Sequence, residues 1–156
     1  MGALMPIENL LPANADTLLS ISSMGTMLYQ ARGLTQSLQV IQDSVHMERT
    51  INGTLIDVSA PQFRKYITHI SASDVDAPPL DNVWPGMTVT IYCACSLAYA
   101  TGNPGSPARA EVSGSSWVQG AYTFYRPVLV CLVRSVTQHF DEWKAVNGWT
   151  LEAEEI

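Results

Sequence analysis

The stretch that decides the fold runs from Met87 to Tyr99 and spells Met-Thr-Val-Thr-Ile-Tyr-Cys-Ala-Cys-Ser-Leu-Ala-Tyr. Apolar or large side chains occupy every second position, and the positions between them carry mostly small or hydroxyl-bearing side chains. This period of two is typical of a β-strand with one buried face. We therefore predict one continuous strand over 87–99, which begins after the Pro85-Gly86 turn.

A second apolar segment covers residues 127–137, and six consecutive apolar residues fill its positions 128–133. Such a run favours a central strand that is covered on both faces, or a strand with one face against a neighbouring subunit. Together the two segments predict the centre of the core. The predicted core residues are Val89, Ile91, Cys93, Leu97, Leu129, Cys131 and Val133.

The strongest short-range signal lies in the segment from Glu48 to Asp57, which has Asn52-Gly53 at its centre. Asn-Gly supplies the two positive-φ residues that a type I′ turn requires, and β-branched residues flank it on both sides. The segment therefore predicts a type I′ hairpin. We expect this hairpin to be structural or to reach a neighbouring subunit.

Turn-forming residues such as Gly and Pro, and shorter runs of apolar residues, predict the remaining elements. Further strands are expected at 63–71, 117–125 and 149–154, and a short helix at 141–146 that Asn147-Gly148 would end. Residues 34–45 carry a helical apolar stripe, but their Thr, Ser and Val content also permits a strand, which we favour. The whole pattern predicts a mainly-β protein, an antiparallel β-sandwich or barrel of about six to eight strands with an N-terminal extended arm.

We divide the chain into an arm, residues 1–30, and a single β domain, residues 31–156. The arm is rich in leucine and contains Pro6 and Pro12, which disfavour one continuous helix. An exposed apolar segment of this kind is typical of an interaction site, so we expect the arm to lie across an adjacent subunit. The alternative is that it adds an edge strand to its own sheet. The predicted oligomer interface consists of Leu10, Leu11, Leu18, Leu19, Ile21, Asn52 and Gly53.

Composition excludes several classes of protein. The 156 residues are 47% hydrophobic and 14% charged, which argues against disorder, and the formal net charge is −6. The eight Lys and Arg residues form no run, so sequence-specific nucleic-acid binding is not expected. We expect no secretion signal, and no apolar stretch of the sequence is long enough to cross a membrane. With so little charge, part of the surface is expected to face other protein.

The chain carries no catalytic, cofactor-binding or metal-binding motif, and we predict a protein that is not an enzyme. Cys93 and Cys95 share one face of the predicted strand, where they are expected to be small core residues. A disulfide between them is disfavoured because neighbouring side chains on one strand face point in parallel. Together with Cys131 they form an odd set, which predicts reduced thiols. The four tryptophans suit either core and interface anchors or a carbohydrate platform.

Several segments of the chain resemble small virion structural proteins of tailed bacteriophages. The resemblance spans roughly residues 29–155 and carries over no site residue. The segments that carry it are Tyr29–Leu38, Arg49–Ser59, Gln62–Tyr66, Trp84-Pro85-Gly86, Tyr125-Arg126-Pro127 and Asp141-Glu142-Trp143.

The resemblance implies a structural protein of the phage particle, assembled in the host cytoplasm and located in the virion. It would form a tail, tail-tube or head-to-tail connecting ring by β packing between subunits and by arm exchange. Its partners would be further copies of itself in a ring and other phage structural proteins. A capsid decoration protein is the alternative within this class, and a cytosolic β-fold ligand-binding module is the alternative outside it.

Overall fold

A computed structural model describes residues 17–25, 31–42, 46–102 and 107–156 of the chain. Of these described residues 52% lie in strands and 2% in a helix, which confirms the predicted mainly-β fold. One short 3₁₀ turn covers Pro61–Phe63. The strands are β1 Ser20–Ile21, β2 Thr35–Val40, β3 Met47–Arg49, β4 Leu55–Asp57, β5 Tyr66–Asp74, β6 Thr88–Tyr92, β7 Leu97–Ala100, β8 Trp117–Gln119, β9 Tyr122–Tyr125, β10 Val128–Asp141 and β11 Val146–Glu155.

The described strands form three antiparallel sheets. Six of them build a curled sheet in the order β1-β6-β10-β11-β5-β2, so that β1 and β2 lie at its edges. Three more form the sheet β7-β9-β8, and β3 pairs with β4 alone. Eleven described strands exceed the predicted six to eight because the predicted strands 87–99 and 117–125 are each divided in two and because β1 lies in the segment predicted as an arm.

The core lies on the inner face of the six-stranded sheet. Period-two alternation places one set of side chains from each strand on this face. Segments outside the sheet close it, with Leu80 and Val83 from one loop and Met24 from the N-terminal segment. The core prediction is confirmed for Val89, Ile91, Cys93, Leu129, Cys131 and Val133, all of which are at most 1% exposed. Leu97 is only half-buried because it belongs to the three-stranded sheet.

The continuous strand predicted over 87–99 is wrong, since the chain leaves the six-stranded sheet after Tyr92. The Cys93 N–H still donates to the Pro127 carbonyl at 3.1 Å. The next N–H, that of Ala94, donates instead to the side-chain oxygen of Gln36 at 2.8 Å. Residues 94 and 95 then form a bend, and the chain continues as β7 in the other sheet.

Two further predictions are corrected by turns. The strand predicted over 117–125 is a hairpin of β8 and β9, because Gly120 takes φ +61° and lets the chain reverse. The helix predicted at 141–146 is a four-residue turn between β10 and β11. There the Asp141 Oδ1 accepts the N–H groups of Trp143 and Lys144, both at 3.1 Å, and strand pairing continues to Asp141 opposite Val146.

The ambiguity over residues 34–45 is resolved in favour of a strand for Thr35–Val40, which pairs with β5. Residues 43–45 lie outside the described part of the chain. The strand wins over the helical stripe because its hydrogen bonds to β5 are supplied by tertiary pairing. Within the described residues, no helix is long and apolar enough to cross a bilayer.

Candidate functional site

The β3–β4 hairpin confirms the predicted turn position but not the predicted turn type. The Gly53 N–H donates to the Thr50 carbonyl, and the Thr50 N–H donates to the Thr54 carbonyl, both at 2.8 Å. Of the loop residues 51–53 only Gly53 has a positive φ, +80°, whereas a type I′ turn needs two such residues. The connection is therefore a three-residue loop with a type I turn and a glycine bulge, and the type I′ prediction is wrong.

Every residue in the two strands of this hairpin is exposed. Neither strand pairs with any other strand of the described chain. The contacts that shape it are local, such as the Arg49 Nη1 donating to the Gly53 carbonyl at 2.9 Å. The predicted interface residues Asn52 and Gly53 lie exposed at its tip. The exposed large apolar residues in and beside the hairpin are Met47, Ile51, Leu55, Ile56 and Val58.

The structure corrects the interface prediction for part of the arm. Leu19 and Ile21 are buried in the core of the chain itself, because residues 20 and 21 pair with β6 and strand alternation turns the side chains of Leu19 and Ile21 to the inner face. These two side chains are therefore not available to a second subunit, and residues 20–21 follow the alternative of an edge strand in their own sheet. Leu18 is half-buried. Leu10 and Leu11 lie outside the described residues.

Arg126 holds this N-terminal segment in place. The residue is 5% exposed, and its Nη1 donates to the Leu18 carbonyl at 2.9 Å and to the Cys93 carbonyl at 3.3 Å. Its Nε has no hydrogen-bond partner among the described residues. Burial lowers the pKa of the guanidinium, and the nearby Cys93 thiol opposes this shift. Nothing in the sequence around Arg126 indicates this role, since both accepting carbonyls come from distant segments.

The three cysteines are free, but they differ in their surroundings. Cys93 and Cys131 are buried in the core, as predicted, whereas Cys95 is half-buried. Interaction with the Cys95 thiol, and then burial, raises the pKa of Cys93, whereas interaction with Cys93 lowers the pKa of Cys95. Burial raises the pKa of Cys131 to about 12. Cys95, which lies in the bend at residues 94 and 95, is partly buried and packs against this core.

The outer face of the six-stranded sheet carries an apolar surface that lies beside a charged one. The apolar part consists of the exposed side chains of Tyr92, Val130, Leu132 and Ile156. Beside it Arg134, at a bulge in β10, lies 3.6 Å from a Glu152 oxygen and 3.2 Å from a Glu154 oxygen. The alternative of a central strand covered on both faces is therefore wrong for residues 127–137, and contact of the exposed face with a neighbouring subunit stays a prediction.

A groove of about 410 Å³ crosses the polar part of the same outer face. Its walls include His69, whose Nδ1 lies 3.4 Å from a Glu152 oxygen. Small-molecule sites are usually concave and mostly apolar with a few convergent polar groups. This groove is open and lined mainly by Thr, Ser and other polar side chains, so it does not resemble a typical small-molecule site.

A mostly buried ion pair ties the end of β11 to the segment after residue 107. The Arg109 Nε lies 2.7 Å from the Glu155 Oε1, and its Nη2 lies 3.0 Å from the Glu155 Oε2. The Tyr66 N–H donates to the same carboxylate at 3.0 Å, and the guanidinium lies 5.1 Å from the centre of the Tyr66 ring. The hydrogen bond to Glu155 raises the pKa of Arg109. No local sequence pattern indicates this pair, because 46 residues separate its members.

The histidines and tryptophans do not gather into one site. His46 lies 2.7 Å from Glu48, and His139 lies over Gly148, where a Cβ would collide with its ring. Trp149 is buried in the core, and Trp117 stacks on Phe124 with ring centres 4.5 Å apart. Trp149 therefore anchors the core, and Trp117 anchors a sheet. The described residues hold no group of three or more His, Cys, Asp or Glu side chains that could bind a metal ion.

Comparison with known proteins identifies neither a family nor a function for the chain. The chain matches no family model, no curated protein and no solved structure. The resemblance to phage structural proteins stays a prediction.

Proposed function

We propose that this chain is a non-enzymatic structural subunit that assembles through its β surfaces, in a tail, tail-tube or connecting ring of a phage particle. The observation that carries the proposal is the β3–β4 hairpin. An isolated two-stranded hairpin is marginally stable in water and normally needs a surface to pack on. This hairpin contacts no other sheet of the described chain and exposes five large apolar side chains. A neighbouring subunit would supply the missing surface.

The edge strand β2 supports the same proposal. Its six residues, Thr-Gln-Ser-Leu-Gln-Val, contain neither a charge nor a proline. Monomeric proteins usually protect exposed strand edges with charges, prolines or bulges, because an unprotected edge pairs with other chains. In an assembled ring such an edge would be paired and would need no protection.

The outer-face surface of Tyr92, Val130, Leu132 and Ile156 is the third support. Exposed apolar residues that lie together and are rimmed by charges are typical of protein–protein contacts. The low charged fraction of the chain, 14%, agrees with burial of part of this surface between subunits. The phage context itself comes from the sequence resemblance alone.

The test compares two variants that place the same charge on two different hairpin tips. Ile51→Asp changes the β3–β4 tip, and Trp143→Asp changes the β10–β11 tip, where Trp143 is 96% exposed. Both side chains are exposed, so both variants should keep the strand-rich circular dichroism spectrum. Light scattering should show closed oligomers of equal mass for the wild type and Trp143→Asp, alone or mixed with the other particle proteins. Ile51→Asp should remain monomeric.

A wild-type chain that stays monomeric in both settings would contradict the proposal. An Ile51→Asp variant that assembles like the wild type would exclude the hairpin as the contact. A monomer that binds a small ligand in the groove beside His69 would support the ligand-binding alternative instead. The position of the chain in images of a particle would distinguish a tail or connector from a decoration protein.

A further inference from the structure

The longest open edge among the described strands belongs to β2. The six-stranded sheet ends in the two-residue β1 on one side and in the six-residue β2 on the other. The Ile41 N–H donates to the Lys65 carbonyl at 2.9 Å, at the end of the pairing between β2 and β5. In an antiparallel pair, hydrogen-bonded residues alternate with residues whose backbone groups point away from the partner. Counted back from Ile41, the N–H and C=O groups of Gln36, Leu38 and Val40 therefore point to the open edge.

The β3–β4 hairpin presents two open edges of its own. The Val58 N–H donates to the His46 carbonyl at 2.9 Å, so the same alternation directs the backbone groups of Leu55 and Asp57 away from β3. The sequence of β4 is Leu-Ile-Asp, with one charge, whereas β3 is Met-Glu-Arg, with two. Charged side chains on an edge strand oppose pairing with another strand, so β4 is the more open of the two edges.

We propose that β4 of one copy pairs antiparallel with β2 of the next copy and continues its six-stranded sheet, an inference that rests on the assembly proposed above. The contact is a strand addition, in which main-chain hydrogen bonds hold the partner. The hairpin and the β2 edge are different surfaces of one chain, so the contact between copies is heterologous. Heterologous contacts build a ring when the rotation between subunits closes. A single contact therefore covers both open edges and generates the proposed ring.

Side-chain chemistry selects the register of this pairing. The Gln36 Nε2 donates to the Oγ1 of the buried Thr68 at 3.1 Å, and Leu38 packs on the core, so both side chains lie on the inner face of the sheet. When Leu55 lies opposite Leu38, Asp57 lies opposite Gln36, and the leucine pair extends the apolar core. A shift by two residues would place Asp57 opposite Leu38, where the carboxylate would lose water without gaining a polar partner.

A disulfide between copies tests this register. In it Ser37 and Ile56, both exposed, face each other as a pair without direct hydrogen bonds, with Cα atoms about 4.5 Å apart, which a disulfide can span. The variant Ser37→Cys/Ile56→Cys, with the half-buried Cys95 changed to Ala, is assembled under reducing conditions, alone or with the other particle proteins. It is then treated with oxidised glutathione and run on a denaturing gel without reductant. We expect most chains in a ladder of covalent oligomers that ends at the ring size, and dithiothreitol should return them to one band.

The matched control is Ser37→Cys/Glu48→Cys with the same change at Cys95. Glu48 is exposed and lies opposite Ile56 in the hairpin, so it faces the same side of the hairpin but lies one strand further from β2. Two strand spacings place its Cα about 10 Å from that of Ser37, beyond the reach of a disulfide. This variant should therefore assemble equally and run as a single chain.

The other outcomes overturn the proposal in distinguishable ways. A ladder from the control would place β3, and not β4, beside β2. Links that stop at covalent dimers would show a two-fold contact, and a link within one chain would show the hairpin on its own β2. Light scattering of the reduced samples separates this proposal from the assembly itself. Oligomers without a link would overturn the strand pairing alone, whereas chains that stay monomeric in both settings would overturn both proposals.

Discussion

The two hairpins β10–β11 and β3–β4 show what separates a structural element from a contact surface. Both are antiparallel pairs closed by short turns. In β10–β11 alternate residues, including Leu129 and Leu151, are buried against the core. In β3–β4 every strand residue is exposed. Local turn chemistry forms both hairpins, but only the first is stabilised by burial within the chain, so the second is the better candidate for contact with another molecule.

Truncating one apolar side chain in each hairpin should give the largest difference. Leu129 is 0% exposed, and Leu129→Ala should lower the free energy of unfolding by about 2–5 kcal/mol through lost burial and a cavity. Leu55→Ala in β4 should change it by less than about 0.5 kcal/mol. Denaturant unfolding of the monomeric Ile51→Asp background checks both values. Equal losses at the two positions would show that β3–β4 packs on the chain after all.

A smaller effect should come from the ion pair that holds the end of β11. Arg109→Met should lower the free energy of unfolding by about 1.5–3 kcal/mol, because Glu155 loses a charged partner in a largely buried site. The matched control is Arg134→Met. Its pairs with Glu152 and Glu154 are half-exposed and screened by water, so the loss should stay below about 1 kcal/mol. Chemical unfolding at low and high salt measures both, and a larger loss for Arg134→Met would contradict this ranking.

The smallest expected effect is a gain at the β10–β11 turn. Ala145 takes φ +52°, the left-handed region that an alanine occupies at a cost and a glycine does not. Ala145→Gly should therefore raise the free energy of unfolding by about 0.5–1 kcal/mol. Lys144→Gly, at the neighbouring position with no positive φ, should lower it slightly. A loss of stability in Ala145→Gly would show that the turn relaxes away from this conformation.

Much of the fold could be predicted from local pattern. The alternation around Val89 and Ile91, and the apolar run around Leu129 and Cys131, fixed which side chains form the core. Asn52-Gly53 fixed the position of a hairpin, although not its turn type. These predictions succeed because strand alternation and turn conformations depend on residues that are neighbours in the sequence.

The functional surfaces were less accessible to sequence analysis. The exposed Asn52-Gly53 tip was predicted as a contact, but the same expectation for Leu19 and Ile21 was wrong, since an apolar residue suits a core and an interface equally. For β10 the sequence left two alternatives, cover on both faces or one face against a neighbouring subunit. Burial in the folded chain excluded the first, and the second stays a prediction.

By itself, the sequence determined a mainly-β protein, its central core strands and the place of its most exposed hairpin. The tertiary structure decided where strands end and which segments are held together. The strand at 87–99 stops at Tyr92 because Gln36 takes the Ala94 N–H, and the N-terminal segment is fixed because Arg126 reaches the Leu18 carbonyl. Each of these contacts joins residues 58 or more positions apart, and a period of two carries no information about partners at that distance.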